Sequence, residues 1–179
     1  MRALVAIIGL LVLGGCAADA PIEQPTMYFN ITEGAKLDAQ AAATMISLYR
    51  KNNGLGAVAI DPELMKIAEE QSQAMASRNR LDHNAKAPLP KRLRAAGYPA
   101  TQAVENVSAG YHTMAEAFSG WRDSPPHRAN MLESGVTKMG IAASYAPNTK
   151  YKVFWTLILA SAEPRDTLGA RTPSAVLAN

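Results

Sequence analysis

His83, the dipeptide Glu105-Asn106, and His127 within Trp121-Arg122-Asp123-Ser124-Pro125-Pro126-His127-Arg128-Ala129-Asn130-Met131-Leu132 are the groups in this chain suited to binding a cation, moving protons or fixing a ligand. An imidazole changes charge near pH 6.5, and a neighbouring carboxylate favours its protonated form. If both rings converge on Glu105, the carboxylate raises both pKa values and makes a proton-sensitive binding cleft. Two neutral imidazoles with a carboxylate also resemble a zinc-type ligand set, so His83 and His127 are the residues that could hold a divalent metal such as zinc. They lack the i, i+4 spacing of a helical H-E-x-x-H motif. The bland alternative is that Glu105 and Asn106 tie loops together while the histidines make structural hydrogen bonds.

Neighbouring members of this set lie 22 positions apart, so periodicity cannot show that they meet. The elements between them must bring them together. A first packing helix is expected from about Leu37 to Lys51, stopped by Asn52-Asn53-Gly54. A second starts with Asp61 as N-cap and Pro62 at its first position, and Leu64, Ile67, Ala68, Gln71 and Met75 give it one apolar face up to about Asn79. His83 lies just beyond it. A shorter helix around Pro90 to Ala96 ends at Gly97. Ala103 to Ala109 reads as a short strand, and Thr113 caps a helix with core residues Met114, Phe118 and Trp121. His127 follows a Pro-Pro turn. Met139 to Ala143 and Tyr151 to Leu159 read as an antiparallel strand pair joined across Pro147-Asn148-Thr149. The second run is continuously apolar, so helices are expected on both faces of the sheet, in three layers.

The order of these residues resembles the bacterial branch of the CAP superfamily, the cysteine-rich secretory, antigen 5 and pathogenesis-related 1 proteins. Arg50 with Gly54-Leu55, Asp61, Leu64, Ala68, Met75, His83, Gly97-Tyr98, Glu105-Asn106, Trp121 and Ser124-Pro125 with His127-Arg128-Ala129-Asn130 follow the family's order across about Leu37 to Ala160. The resemblance implies an α+β fold, a CAP-like three-layer α-β-α sandwich, whose cleft carries two histidines and two acids. His83, Glu105 and His127 match three of these. For the second acid the chain offers Asp123 or Ser124 after Trp121, with Glu116 before it as the alternative. Two departures are Val104 where the family commonly has glycine, and Pro126 between Pro125 and His127. Proline at 126 removes a backbone donor and fixes φ.

Met1 to Gly15 reads as a targeting segment with Arg2 as its basic region, and Leu13-Gly14-Gly15-Cys16 resembles a bacterial lipobox in which Cys16 is acylated. A signal peptide ending in Ala-x-Ala at Ala18 to Ala20 is the rival. The expected organisation is a signal peptide at 1–15, a tether at 16–36, the CAP-like domain at 37–162 and a loose tail at 163–179. Cys16 is the only cysteine, so no disulfide framework supports the fold. Ala17 after Cys16 fits outer-membrane delivery in a Gram-negative cell. The formal net charge is +3 and the cations are scattered, which argues against nucleic acid as a partner. Lys86, Lys91, Arg92 and Arg94 form a local basic group read first as a solvated helix face. His112 reads as a helix-start residue. No G-x-S-x-G elbow presents Ser108, Ser119 or Ser124 as a nucleophile, and no Gly-rich phosphate loop occurs.

The functional expectation is an envelope-anchored binding module for a small hydrophobic or envelope-derived ligand, contacting the membrane through lipidated Cys16. The alternatives are a metal-assisted hydrolase or peptidase, with Glu105 polarising water, and a structural envelope protein that binds a partner through its loops.

Overall fold

The computed structural model describes residues 24–161. The expected targeting segment, Cys16 and the expected tail at 163–179 lie outside the described residues. Five α-helices and a mixed four-stranded sheet follow in the order α1 (Ala39–Asn52), β1 (Ala59–Ile60), α2 (Pro62–Ser77), α3 (Leu89–Ala95), β2 (Ala103–Ala109), α4 (Met114–Asp123), α5 (Pro125–Met131), β3 (Lys138–Ala146) and β4 (Lys152–Ala160). A single 3-10 turn, Thr26–Tyr28, precedes them.

Helix starts follow their caps. Asp38 accepts from the Ala41 amide, so α1 starts two residues later than expected. Asp61 accepts from the Glu63 and Leu64 amides at 2.9 and 3.1 Å, with Pro62 opening α2 where its missing N–H is not needed. The same logic revises the Pro-Pro segment. Pro125 and Pro126 form the first turn of α5 rather than a free turn, and Ser124 serves as both C-cap of α4 and N-cap of α5. Gly97, at φ +62°, closes α3 as expected.

The sheet order is β1-β3-β4-β2, with β2 and β4, and β3 and β4, antiparallel. The two-residue β1, which has no pattern of its own, adds a parallel edge by pairing Ala59 and Ile60 with Lys138 and Met139. β4 is central, and its alternation builds both layers. Val153, Trp155, Leu157 and Leu159 pack with Ala43 and Ile46 of α1, Trp121 of α4 and Met131 of α5. On the other face, Phe154 packs with Met75, and Ile158 and Ala160 pack with Leu64, Ile67 and Leu93. The result is the three-layer α-β-α sandwich. Among the described residues no helix is long and apolar enough to cross a membrane.

The packed chain begins upstream of residue 37. Ile31 is buried, its amide donates to the His112 carbonyl at 2.8 Å, and Met27 and Leu37 pack against the α1/α4 layer. The end of the expected tether is thus part of the folded unit.

α2 lies directly on β3 at Gly140. A Cβ there would meet the Leu64 carbonyl carbon at 2.1 Å and the Met65 nitrogen at 2.5 Å, and both are backbone atoms that cannot rotate away. Gly140→Ala is expected to lower the unfolding free energy by about 1–3 kcal/mol. Gly56→Ala, where nothing lies within 4 Å of an added Cβ, should change it by less than about 0.5 kcal/mol. Urea titrations of the two variants test the contrast.

Candidate functional site

β2 is an edge strand, and adjacent residues on it point to opposite faces. Glu105, opposite Ile158, faces the α2/α3 layer, while Asn106, opposite Leu157, faces α5. One dipeptide therefore works in both layers.

On the α2/α3 side, the Glu105 carboxylate is almost completely buried. Its Oε2 accepts from Arg92 Nη2 at 2.5 Å, with only 4% of either side chain exposed, and its Oε1 lies 3.0 Å from His83 Nδ1. Arg92 is fixed in turn by its Nε, which donates to the Ala87 carbonyl at 2.8 Å, while Nη1 has no partner. Arg92 is thus removed from the solvated basic group to which sequence alone assigned it. Its position carried a signal, because Leu89, Arg92, Leu93 and Ala96 fall at i, i+3, i+4 and i+7 and place it on the apolar stripe.

His83 sits in the irregular segment after α2, which is held by a side chain inside that helix. Gln71, fully buried, donates to the carbonyls of Asp82 at 2.8 Å and His83 at 3.1 Å and accepts from the Lys86 amide at 3.1 Å. Asp82 caps the segment locally by accepting from the Asn84 amide. On the apolar stripe of α2, Gln71 substitutes for a hydrophobic residue in order to fix this loop. The His83 side chain remains 56% exposed, with Nε2 the ring nitrogen not engaged by Glu105.

On the other side, α5 is bolted to β2 by amides. Asn130 Nδ2 donates to the Glu105 carbonyl at 3.0 Å and to Asn106 Oδ1 at 2.9 Å, and Asn106 Nδ2 donates to the His127 carbonyl at 2.9 Å. The Glu105 carbonyl would otherwise be an unpaired group on a sheet edge. The far end of α5 is held by buried Arg50 of α1, which donates to the carbonyls of Met131, Glu133 and Val136 at 2.8, 2.8 and 3.2 Å. A half-buried His127 is placed by these bonds through its backbone.

The structure joins His83, Glu105 and Arg92 directly. It brings His127 close enough for the His83 charge to act on it, without a hydrogen bond from the His127 ring to the other three. The two imidazoles shift in opposite directions. Hydrogen bonding to Glu105, reinforced by its charge, holds His83 above the ordinary value of 6.5. Burial, then the charge of His83, pushes His127 below 6.5. The expectation that Glu105 raises both is corrected for His127, because the carboxylate is already taken by His83 and Arg92.

Glu116 is placed elsewhere. Its Oε2 accepts from the amides of His112 and Thr113 at 2.7 and 3.0 Å, and its own amide donates to Thr113 Oγ1, which forms a capping box at the start of α4. Asp123 is exposed and pairs with neighbouring Arg122 at 2.8 Å. Neither is joined to His83 or Glu105 by a bond. In this arrangement Glu105 stands behind His83 as a hydrogen-bond acceptor and is not itself a free metal ligand. Both Glu105 oxygens are engaged, leaving two imidazoles where a catalytic zinc keeps three protein ligands. Among the described residues no group of three or more His, Cys, Asp or Glu side chains could hold a metal ion.

Two outcomes test this geometry. Arg92→Leu, which leaves the Glu105 carboxylate buried beside His83 alone, should cost about 3–5 kcal/mol. The Arg92→Leu/Glu105→Leu double variant should cost well under the sum of the single changes in urea unfolding. In an NMR titration His83 should protonate above pH 6.5 and His127 below it, and His83→Ala should move the His127 midpoint upward without restoring it to 6.5. The linked stabilities have opposite signs. The His83 contribution is complete below its unfolded value and is lost as pH rises through the raised folded value. The His127 contribution is present above pH 6.5 and is lost as pH falls through the depressed one.

Comparison with known proteins places this arrangement. Residues 44–159 match the model of the Cysteine-rich secretory protein family, CAP. The chain is 32% identical over 95 residues to the uncharacterized protein YkwD of Bacillus subtilis, covering 51% of this chain and 37% of that protein. It therefore spans well under half the length of this relative. An outer surface protein of Borrelia burgdorferi superposes with a TM-score of 0.63 at 18% identity, over 73% of this chain and 99% of that one. An extracellular SCP-domain protein of Bacillus anthracis gives 0.60 at 24% identity, over 68% and 39%. At these identities the structural likeness is one of fold. The family match across the whole sheet and both histidine segments is the firmer result, and by it this chain belongs to the CAP, or cysteine-rich secretory protein, family.

Proposed function

We propose that this protein is an envelope-anchored CAP-domain lipoprotein that captures a polar, envelope-derived ligand at the His83 and His127 imidazoles. The observation that carries the reading is the engagement of Glu105. With both oxygens bonded and its side chain 4% exposed, the carboxylate orients the site, while the exposed His83 ring meets the ligand. Nδ1–H donates to the carboxylate, so Nε2 accepts a hydrogen bond when the ring is neutral and donates one when it is protonated. Such a group suits hydroxyl-rich or anionic ligands.

Five grooves of about 270 to 360 Å³ on the described surface are bordered by residues other than His83, Glu105 and His127. A general base needs a free proton-accepting atom near the substrate; with both Glu105 oxygens engaged, that role would fall to the neutral ring of His127. Support for the envelope comes from Leu13-Gly14-Gly15-Cys16 and from the similarity to proteins described as extracellular and outer surface.

The test is native mass spectrometry of the unacylated chain from residue 17, incubated with fragmented envelope carbohydrate and with envelope lipid extract. Wild type should retain a ligand from the carbohydrate fraction. The His83→Ala/His127→Ala variant should bind it at least about tenfold more weakly, the equivalent of one hydrogen bond of about 1.4 kcal/mol. Undiminished capture by the folded variant would overturn the assignment. Capture of nothing by wild type would favour a partner-binding role.

A further inference from the structure

The described chain starts with a segment that is tied down yet presents aromatic rings to solvent. Thr26 Oγ1 donates to Asp38 Oδ2 at 2.7 Å, the Phe29 amide donates to the Thr26 carbonyl at 3.0 Å, and Ile31 is buried two residues on. Tyr28 and Phe29 are nonetheless 57% and 48% exposed. Side chains of this size normally contribute to a core. Here the backbone is held by its neighbours, so their exposure is a fixed feature of the surface. Phe29 also borders a groove of about 280 Å³ with the exposed Lys36, over apolar Ile31, Leu37 and Met114.

Aromatic rings beside a lysine on an apolar floor match the composition of a membrane–water interface, where rings sit at headgroup depth and a lysine stem lies on apolar surface with its ammonium in water. Cys16 stands eight residues before Gln24. Eight residues reach at most about 29 Å when fully extended. An acyl anchor at Cys16 would hold Gln24 within that distance of the bilayer, with the two rings four and five residues beyond it. At such range the effective concentration of surface is of millimolar order, so a contact too weak to recruit a free protein suffices to seat a tethered one.

We propose that Tyr28, Phe29 and Lys36 form a membrane-docking surface that seats the domain on the headgroup layer of the bilayer carrying its anchor. The inference rests on the reading of Cys16 as acylated. Seating gives the whole CAP domain a fixed height and orientation over the bilayer.

The experiment uses the full chain purified from a bacterial host, with Asn30→Cys as the only free thiol beside acylated Cys16. An environment-sensitive fluorophore is attached at position 30, and the protein is reconstituted in phosphatidylethanolamine/phosphatidylglycerol vesicles containing spin-labelled lipid. Intact mass of the same sample reads the acylation of Cys16. The expected result is a blue-shifted emission quenched by the headgroup spin label, with both effects lost in a Tyr28→Ser/Phe29→Ser version that remains acylated and folded. An acylated chain whose label at position 30 stays in water, or whose quenching survives the double substitution, overturns the docking surface alone. A chain with no acyl mass on Cys16 overturns the anchor and the docking surface together.

Discussion

The site depends on a buried carboxylate. Taking an ionised carboxylate out of water costs several kcal/mol even after relaxation, and the cost is met only when a cation and further hydrogen bonds answer it. Glu105 meets Arg92 at 2.5 Å on one oxygen and His83 at 3.0 Å on the other. This requirement fixes the placement of α3, whose only side chain able to reach Glu105 as a cation is Arg92, and of the loop that carries His83. It also explains the exposed position of His83. Arg92 provides the counter-charge inside, so the imidazole can stand at the boundary with water. Because the strand alternates, Asn106 next door points the other way and fastens α5. The two histidines flank one edge strand as a consequence of that alternation.

A second theme is the use of buried polar side chains to hold irregular backbone. Turns and loops leave amides and carbonyls that helices and strands would have paired, and leaving them buried and unmet is costly. Gln71 meets three such groups around His83, and Arg50 meets the carbonyls of Gly56, Met131, Glu133 and Val136 behind His127. Both lie on the otherwise apolar face of a helix, at 0% and 1% exposure, so their positions are set by the core and their heads set the loops. The backbone of both histidine segments is therefore held from the interior, and at His83 the ring's bond to Glu105 adds a second tie. A ligand meeting such a site finds a largely prearranged surface, and binding then loses less free energy to ordering the receptor.

Much of the fold was legible because local chemistry and burial agree. Asp61-Pro62, Thr113 and Gly97 mark ends that the structure keeps, and the continuous apolar run at Val153–Leu159 implies a strand covered on both faces. β1 was not legible, since two residues carry no periodicity and exist as a strand only because β3 passes beside them. α5 was hidden by Pro125-Pro126, which read as a turn although the first helical turn tolerates proline equally well. At the site, the residue types were visible but their connections were not. Arg92 among Lys86, Lys91 and Arg94 looks like one more surface cation until its place on the stripe of Leu89 and Leu93 is noticed. Glu116 shows the reverse. Thr113-x-x-Glu116 has the capping-box spacing, and the backbone amides at the start of α4 claim the carboxylate before any cleft can.

The two imidazoles end in unlike states for reasons that bear on what the site can do. His83 has a carboxylate on one nitrogen and solvent at the other, so protonation is favoured and the ring offers a donor on its outer side. His127 is half-buried without an acidic partner and feels the charge of His83, so it is held toward the neutral form, with one nitrogen an acceptor. A donor on one ring and an acceptor on the other are complementary to a hydroxyl-bearing ligand, which can accept from one and donate to the other. A hydrolytic site needs a free base next to an electrophile, and in this cluster the group with a free acceptor is the neutral ring of His127. Here Arg92 and His83 occupy both oxygens of Glu105, the one carboxylate in the cluster. The same salt bridge that makes the buried charge tolerable therefore also leaves the outward chemistry of the cluster to its two rings.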